Sequence, residues 1–186
     1  KGMSKPLVRE LPKDPFSHGE DGQGENYLPE PSTPLADLHA VDLIVETVRK
    51  HAGDIRIVAL GPLTNVAMAL MKAPEIKSMI TEITAIAGAY GLNKYATVNA
   101  TGDNPQSEWN VFVDPEAADI VFKSGVRVNA IGLDVATHFD VNFTEAELNE
   151  LRASSKPEAD FLLNMIRFVT SCGFESYCVL IDSMAV

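Results

Sequence analysis

The chain has 186 residues, 46% hydrophobic and 22% charged, and its 15 Lys and Arg against 26 Asp and Glu give a formal net charge of −11. That is length enough for one globular domain, or a large part of one, with a core that needs no disulfide or structural metal. It is too apolar for a disordered chain, has no collagen-like glycine period, and has no apolar run near the ~18 residues that span a bilayer. The acidity argues against a nucleic-acid partner, which calls for a basic surface, and leaves small molecules and cations as the natural partners.

The first 36 residues hold six of the eleven prolines and include the polar string HGEDGQG at 18–24. They read as loop. So long an irregular stretch is unusual in a compact unit unless it binds something, so 1–36 is expected to be an active-site loop region, or the chain begins in mid-domain. The α/β core is expected over 37–186, with the whole chain one structural unit.

From Leu38 the period becomes helical, with Leu38, Val41, Ile44, Val45 and Val48 on one face and Gly53 as the stop. Ile55 to Leu60 reads as a buried strand and ends at Gly61-Pro62. A helix follows over Asn65 to Met71, capped by Thr64 or Asn65, then a short helix near Pro74 to Met79 and a strand from Ile83 to Ala87. After a polar stretch, Asp114, Pro115 and Glu116 signal a helix start, and Gly125 lies beyond its end. Val126 to Leu133 is the third apolar run. Thr144 and Glu147 form a capping box for a helix to about Ala153, and Phe161, Leu162, Met165, Ile166 and Val169 mark another. This alternation implies an α/β fold, an open and mainly parallel sheet with helices on both faces.

Ligands of such sheets bind beyond the carboxyl ends of the strands. The segments there are Gly61 to Asn65, the loop 88–113, and Asp134 to His138. In the loop, Glu108 and Asn110 stand two apart, so an extended backbone would aim both at one face and Trp109 at the other. A carboxylate beside an amide suits adjacent hydroxyls, as on a sugar. The competing reading is that both are capping or solvated residues. No GxGxxG follows a strand, so a dinucleotide oxidoreductase lacks its fingerprint. His18, His39, His51 and His138 show no metal spacing, and Cys172 and Cys178 match neither CxxC nor zinc spacing. Asp182 interrupts the apolar run CVLIDSMAV, where a carboxylate must be paired, act as an N-cap or meet a cation. No apolar leader opens the chain. The sequons at Asn99 and Asn142 allow secretion, the cytoplasm is slightly favoured, and the compartment stays open.

Taken together, Lys5-Pro6-Leu7, His18-Gly19 with Gly22 and Gly24, the string ALGPLTN at 59–65, Glu108-Trp109-Asn110 with Val113 to Ala118, Gly132-Leu133-Asp134 and Asp182 resemble the nucleoside hydrolases, the inosine-uridine nucleoside N-ribohydrolase family. The resemblance implies a Rossmann-like sheet and an enzyme that hydrolyses the N-glycosidic bond of ribonucleosides around a calcium ion. By resemblance, Asp182 is a calcium ligand that also faces substrate, and Leu60 supplies a backbone carbonyl to the ion. Glu108 and Asn110 bind ribose hydroxyls, Asn104 assists, Ile86 lies under the sugar, and His18 borders the base pocket. A homodimer or homotetramer is implied as well.

Two departures matter. The family's opening DxDPGxDD motif, with its general base and most calcium carboxylates, is not in this sequence, so the chain looks like the central portion of such an enzyme. The general base is expected upstream of Lys1. No catalytic residue is assigned within the chain, which alone is expected neither to hold calcium tightly nor to turn over nucleosides. Ile181 stands where part of the family has a histidine that protonates the leaving base, and isoleucine donates no proton. Trp109 resembles the purine-preferring branch. The alternative is a non-catalytic ribose-binding or regulatory module that has lost the metal site.

Overall fold

The three apolar runs become parallel strands β1 (Ile55–Ala59), β2 (Ile80–Ile86) and β3 (Val128–Ile131), hydrogen-bonded in the order β1-β2-β3. The computed structural model describes residues 1–12, 15–91, 107–138, 140–173 and 179–186, so Asn99, Asn104 and Cys178 lie outside the described residues. Ile57 sits opposite Ile83 and Ala59 opposite Ala85, while Ile83 and Ala85 face Val128 and Ala130. Because side chains alternate across a pleated strand, these residues line one face; Ile83 and Ala85 belong to the main hydrophobic cluster, and Ile57, Ala59 and Val128 pack against it.

Three helices complete that cluster: α2 (Ala40–Lys50), α3 (Thr64–Lys72) and α5 (Pro115–Phe122). They supply Val41, Val45 and Val48, then Val66, Ala67 and Leu70, then Ala117, Ala118 and Val121. The spacings of three and four put each set on one side of its helix. The small residues of α3 and α5 let these helices pack closely. On the opposite face of the sheet, Glu82 bridges neighbours on both sides, at 3.0 Å from Arg56 and from the Asn129 amide. Arg56 and Val58 are consequently exposed, and β1 alternates rather than being buried on both faces as its apolar run suggests.

Local signals explain most boundaries. Asp114 caps α5 by accepting from the Ala117 N–H at 3.0 Å, with Pro115 at the first position. Thr144 and Glu147 form the expected capping box at α7 (Glu145–Ala153), and the side-chain bond from Thr144, then its N–H, holds the Glu147 carboxyl below its usual range. Because α7 has no buried residue, Thr144→Ala is expected to fray only its first turn. Amide exchange there should accelerate about fivefold while the melting temperature barely moves, read by hydrogen–deuterium exchange.

Two further expectations fail. Neither Thr64 nor Asn65 caps α3, whose N-cap is Leu63 with no side-chain bond. The Thr64 hydroxyl instead donates to Asp114 Oδ2 at 2.5 Å, and Asn65 Oδ1 accepts from the Met3 N–H. The Glu108 to Asn110 segment is not extended, because Trp109–Val113 forms a further helix, α4, with Glu108 as its N-cap.

Among the described residues of 1–36, the only regular element is α1 (Pro15–His18). The segment is tied down by distant groups. Lys1 is exposed, but its carbonyl accepts from the Ala40 N–H at 2.8 Å and so joins the first residue to the start of α2. The Leu7 N–H donates to Asp114 Oδ2 and the Arg9 guanidinium to the Phe112 carbonyl. Further on, Asp21 accepts from the N–H groups of Gln23, Glu25 and Tyr27. That turn carries Glu25 and Tyr27 at positive φ, 58° and 46°, and docks through Asn26 on α8 (Pro157–Ser171). No helix among the described residues is long and apolar enough to cross a membrane.

Candidate functional site

Parallel pairing brings the carboxyl ends of β1, β2 and β3 to one edge, and the polar side chains singled out in the sequence gather there. Glu108 is buried, 4% exposed, and its carboxylate accepts three backbone N–H groups: Asn110 at 2.8 Å, Val111 at 2.9 Å and Gly88 at 3.2 Å. It thus caps α4 and pins the exit of β2 with one group. Asn110, also buried, donates its amide to the carbonyls of Ile86 at 2.9 Å and Leu60 at 3.4 Å. Since both partners are carbonyls, the nitrogen must face them. One amide therefore joins the ends of β1 and β2.

These bonds define what the pair has left. A carboxylate accepts about four hydrogen bonds. Glu108 Oε2 takes two and Oε1 one, so among the described residues one acceptor position on Oε1 remains. Both N–H groups of the Asn110 amide are used, and its Oδ1 takes nothing from the described residues. Glu108 and Asn110 are therefore acceptors only, a narrower chemistry than the donating and accepting pair read from the sequence.

Asp182 begins a short 3-10 helix, Asp182–Ala185, that packs against β2. It is not an N-cap, because Ile181 holds that position, and its side chain reaches solvent rather than lying inside an apolar strand. Enclosure by the surrounding protein pushes its carboxyl above the usual value, opposed by the charge of His18. Burial likewise raises Glu108, against its three N–H bonds, and the charge of Asp182 raises it further. His18, Glu108 and Asp182, far apart in sequence, are thus within electrostatic reach of one another. His18 is exposed at the end of α1, with its Nδ1 2.8 Å from the Ser17 hydroxyl.

Ile86 is buried at the end of β2, and Leu60, just past β1, is partly exposed. Trp109 is half-buried with its ring 6.0 Å from that of Phe112, over which the Arg9 guanidinium lies at 5.7 Å. A cavity of about 540 Å³ lined by Arg9, Gly88, Tyr90, Glu108 and Phe112 borders this edge. Of the predicted site residues that the structure describes, only Glu108 lines it, so the side-chain cluster and not this cavity marks the candidate site. Asn104 lies outside the described residues.

Calcium takes six to eight oxygen ligands. Among the described residues no three His, Cys, Asp or Glu side chains gather as a metal site, and Asp182 with the Leu60 carbonyl falls well short of that number. These residues do not fit calcium by themselves.

The sequence places Asp134 in a strand-end segment without a role, and Tyr90 carries no signal there. Asp134, buried at the start of α6 (Leu133–Ala136), accepts from the N–H groups of Tyr90 and Gly91, both at 2.8 Å. The string Gly132-Leu133-Asp134 was the available signal, but it does not say which backbone the carboxylate meets.

A family model described as inosine-uridine preferring nucleoside hydrolase matches residues 1–186. A rice (Oryza sativa subsp. japonica) protein named probable uridine nucleosidase 1 is 39% identical over 94% of this chain and 52% of its own length. The pyrimidine-specific ribonucleoside hydrolase RihA of Escherichia coli O9:H4 is 38% identical over 90% of this chain and 50% of its own. The solved purine-preferring ribonucleoside hydrolase from Gardnerella vaginalis superposes with a TM-score of 0.81 and 31% identity, covering 99% of this chain and 61% of that one. The chain spans about half the length of the curated relatives it matches. With the match running from its first residue to its last, it belongs to the inosine-uridine preferring nucleoside hydrolase family.

Proposed function

We propose that this chain forms the sugar- and base-facing part of a ribonucleoside N-ribohydrolase, which uses water to split the N-glycosidic bond into free base and ribose. The observation that carries the reading is the acceptor-only pair at the ends of β1 and β2: Glu108 Oε1 and Asn110 Oδ1 suit two hydroxyl donors on one sugar. Ile86, whose carbonyl is fixed by Asn110, lies under the ring. The carboxylates of Glu108 and Asp182 favour the positive charge that develops on the sugar as the bond breaks. His18, held by Ser17, faces the leaving base, with Asn104 a further contact to the sugar. The general base that activates the water is proposed to stand upstream of Lys1 in the full-length protein.

Calcium would orient the sugar hydroxyls and the attacking water, and Asp182 and the Leu60 carbonyl are its proposed contacts in the full-length protein. No step here depends on it. The purine leaning rests on Trp109, while the curated relatives above are named for uridine and pyrimidines and one structural neighbour for purines. A homodimer or homotetramer is proposed on the same family grounds.

The test is base release from inosine and uridine by the full-length protein with calcium present. Release from either supports the reading, and the kcat/KM ratio decides the base preference. Saturable nucleoside binding without release would select the non-catalytic module instead. The 186-residue chain alone, with so few of calcium's oxygens and no assigned general base, is expected to release no base in the same assay.

A further inference from the structure

We infer that Asp134 is a positioning residue for the sugar side of the site, acting through the turn that leaves β2. The inference rests on the ribonucleoside hydrolase reading above. Asp134 touches none of the proposed substrate contacts, yet both its oxygens are committed to that turn: Oδ2 accepts from the Tyr90 N–H and Oδ1 from the Gly91 N–H, each at 2.8 Å. From the other side Glu108 holds the Gly88 N–H. The residues between are locked as well, since the Tyr90 hydroxyl donates to the Ala87 carbonyl at 3.1 Å and the Leu133 N–H to the Gly88 carbonyl at 3.0 Å.

Two glycines make the clamp close enough to work. A Cβ on Gly132 would meet the Tyr90 ring at 2.6 Å, and one on Gly88 would meet it at 2.8 Å. Tyr90 is therefore laid flat on bare backbone at the ends of β2 and β3. Its hydroxyl is held above the usual phenol range by burial and then by the charges of Glu108 and Asp134, which keeps it a donor to Ala87. Residues 87–91 are gripped between two buried carboxylates. One is the proposed ribose acceptor Glu108, and the other, Asp134, sets where the Gly88 N–H meets it and where Ile86 ends.

A displaced turn should therefore weaken the hold on the sugar and leave base discrimination alone. In Asp134→Asn, one oxygen is replaced by an NH2 group facing a backbone N–H. In the full-length protein, KM is expected to rise about tenfold for inosine and uridine alike, since a misplacement of about an ångström has effects of that order or larger. The kcat/KM ratio between the two substrates should stay within about twofold, and competitive inhibition by free D-ribose should weaken in parallel. Gly132→Ala keeps the carboxylate but crowds both the Tyr90 ring and Asp134 Oδ2, at 2.6 and 2.9 Å from the added Cβ, so it displaces the same turn and should give the same signature; it carries the test if Asp134→Asn does not fold. Folded variants with wild-type KM for both nucleosides, or a loss confined to one base, would overturn the inference while the active wild type upholds the function. An inactive wild type overturns both.

Discussion

Asp114→Ala is expected to remove about 4 kcal/mol of folding stability, a large part of the ~5–15 kcal/mol that holds an ordinary domain together. Asp114 is fully buried and gathers three donors from separate parts of the chain: the Leu7 N–H at 3.0 Å, the Thr64 hydroxyl at 2.5 Å and the Ala117 N–H at 3.0 Å. Alanine leaves all three without an acceptor, uncaps α5 and removes one of the ties between the N-terminal segment and the core. Thr64→Val removes only the hydroxyl and should cost about 1–2 kcal/mol. Urea unfolding of both variants measures this, and an Asp114→Ala loss no greater than that of Thr64→Val would show that Asp114 joins nothing.

In the full-length protein, Glu108→Gln is expected to lower kcat/KM at least about a hundredfold on every nucleoside, because its single oxygen can serve either as the proposed sugar acceptor or as the pin on Gly88 but not both, and the negative charge is gone. Its stability should respond to pH with a definite sign. The folded protein holds Glu108 above its ordinary value of 4.5. The stability tied to its protonation is thus complete below that value and lost as pH rises through the raised one. Glutamine cannot ionise. The stability deficit of Glu108→Gln relative to wild type should therefore shrink, or reverse, as pH rises from 4.5 through the raised value. Urea midpoints at the two ends of that window give the answer, and a deficit that grows with pH would contradict the burial assigned to Glu108.

What could be read from the residues divides along physical lines. Strong local signals survived folding: Asp114-Pro115 starts α5, Thr144 and Glu147 box α7, and the apolar runs are β1, β2 and β3. Failures came where a distant partner displaced a local one, or where a local cap replaced extended backbone. Thr64 looks like a cap until Asp114, fifty residues on, takes its hydroxyl, and Glu108 looks extended until Asn110 and Val111 turn back onto it as a helix. The family strings identified candidate site residues by number. They could not show that Asn110 commits both its N–H groups to strand-end carbonyls, or that Asp134 has backbone partners at all, because those depend on which loop ends the sheet brings together.

The turn around Asp21 has a bearing on how such a site diversifies. Three backbone N–H groups close onto one carboxylate, and the His18 carbonyl joins the same loop by accepting from the Gly24 N–H at 2.8 Å. On the proposed sugar side, Glu108, Asn110 and Asp134 are each bonded to main chain at the strand ends. The proposed site thus pairs a loop closed on a carboxylate beside the base with sugar contacts set in strand-end backbone, and the proteins the chain resembles are named for uridine, for pyrimidines and for purines.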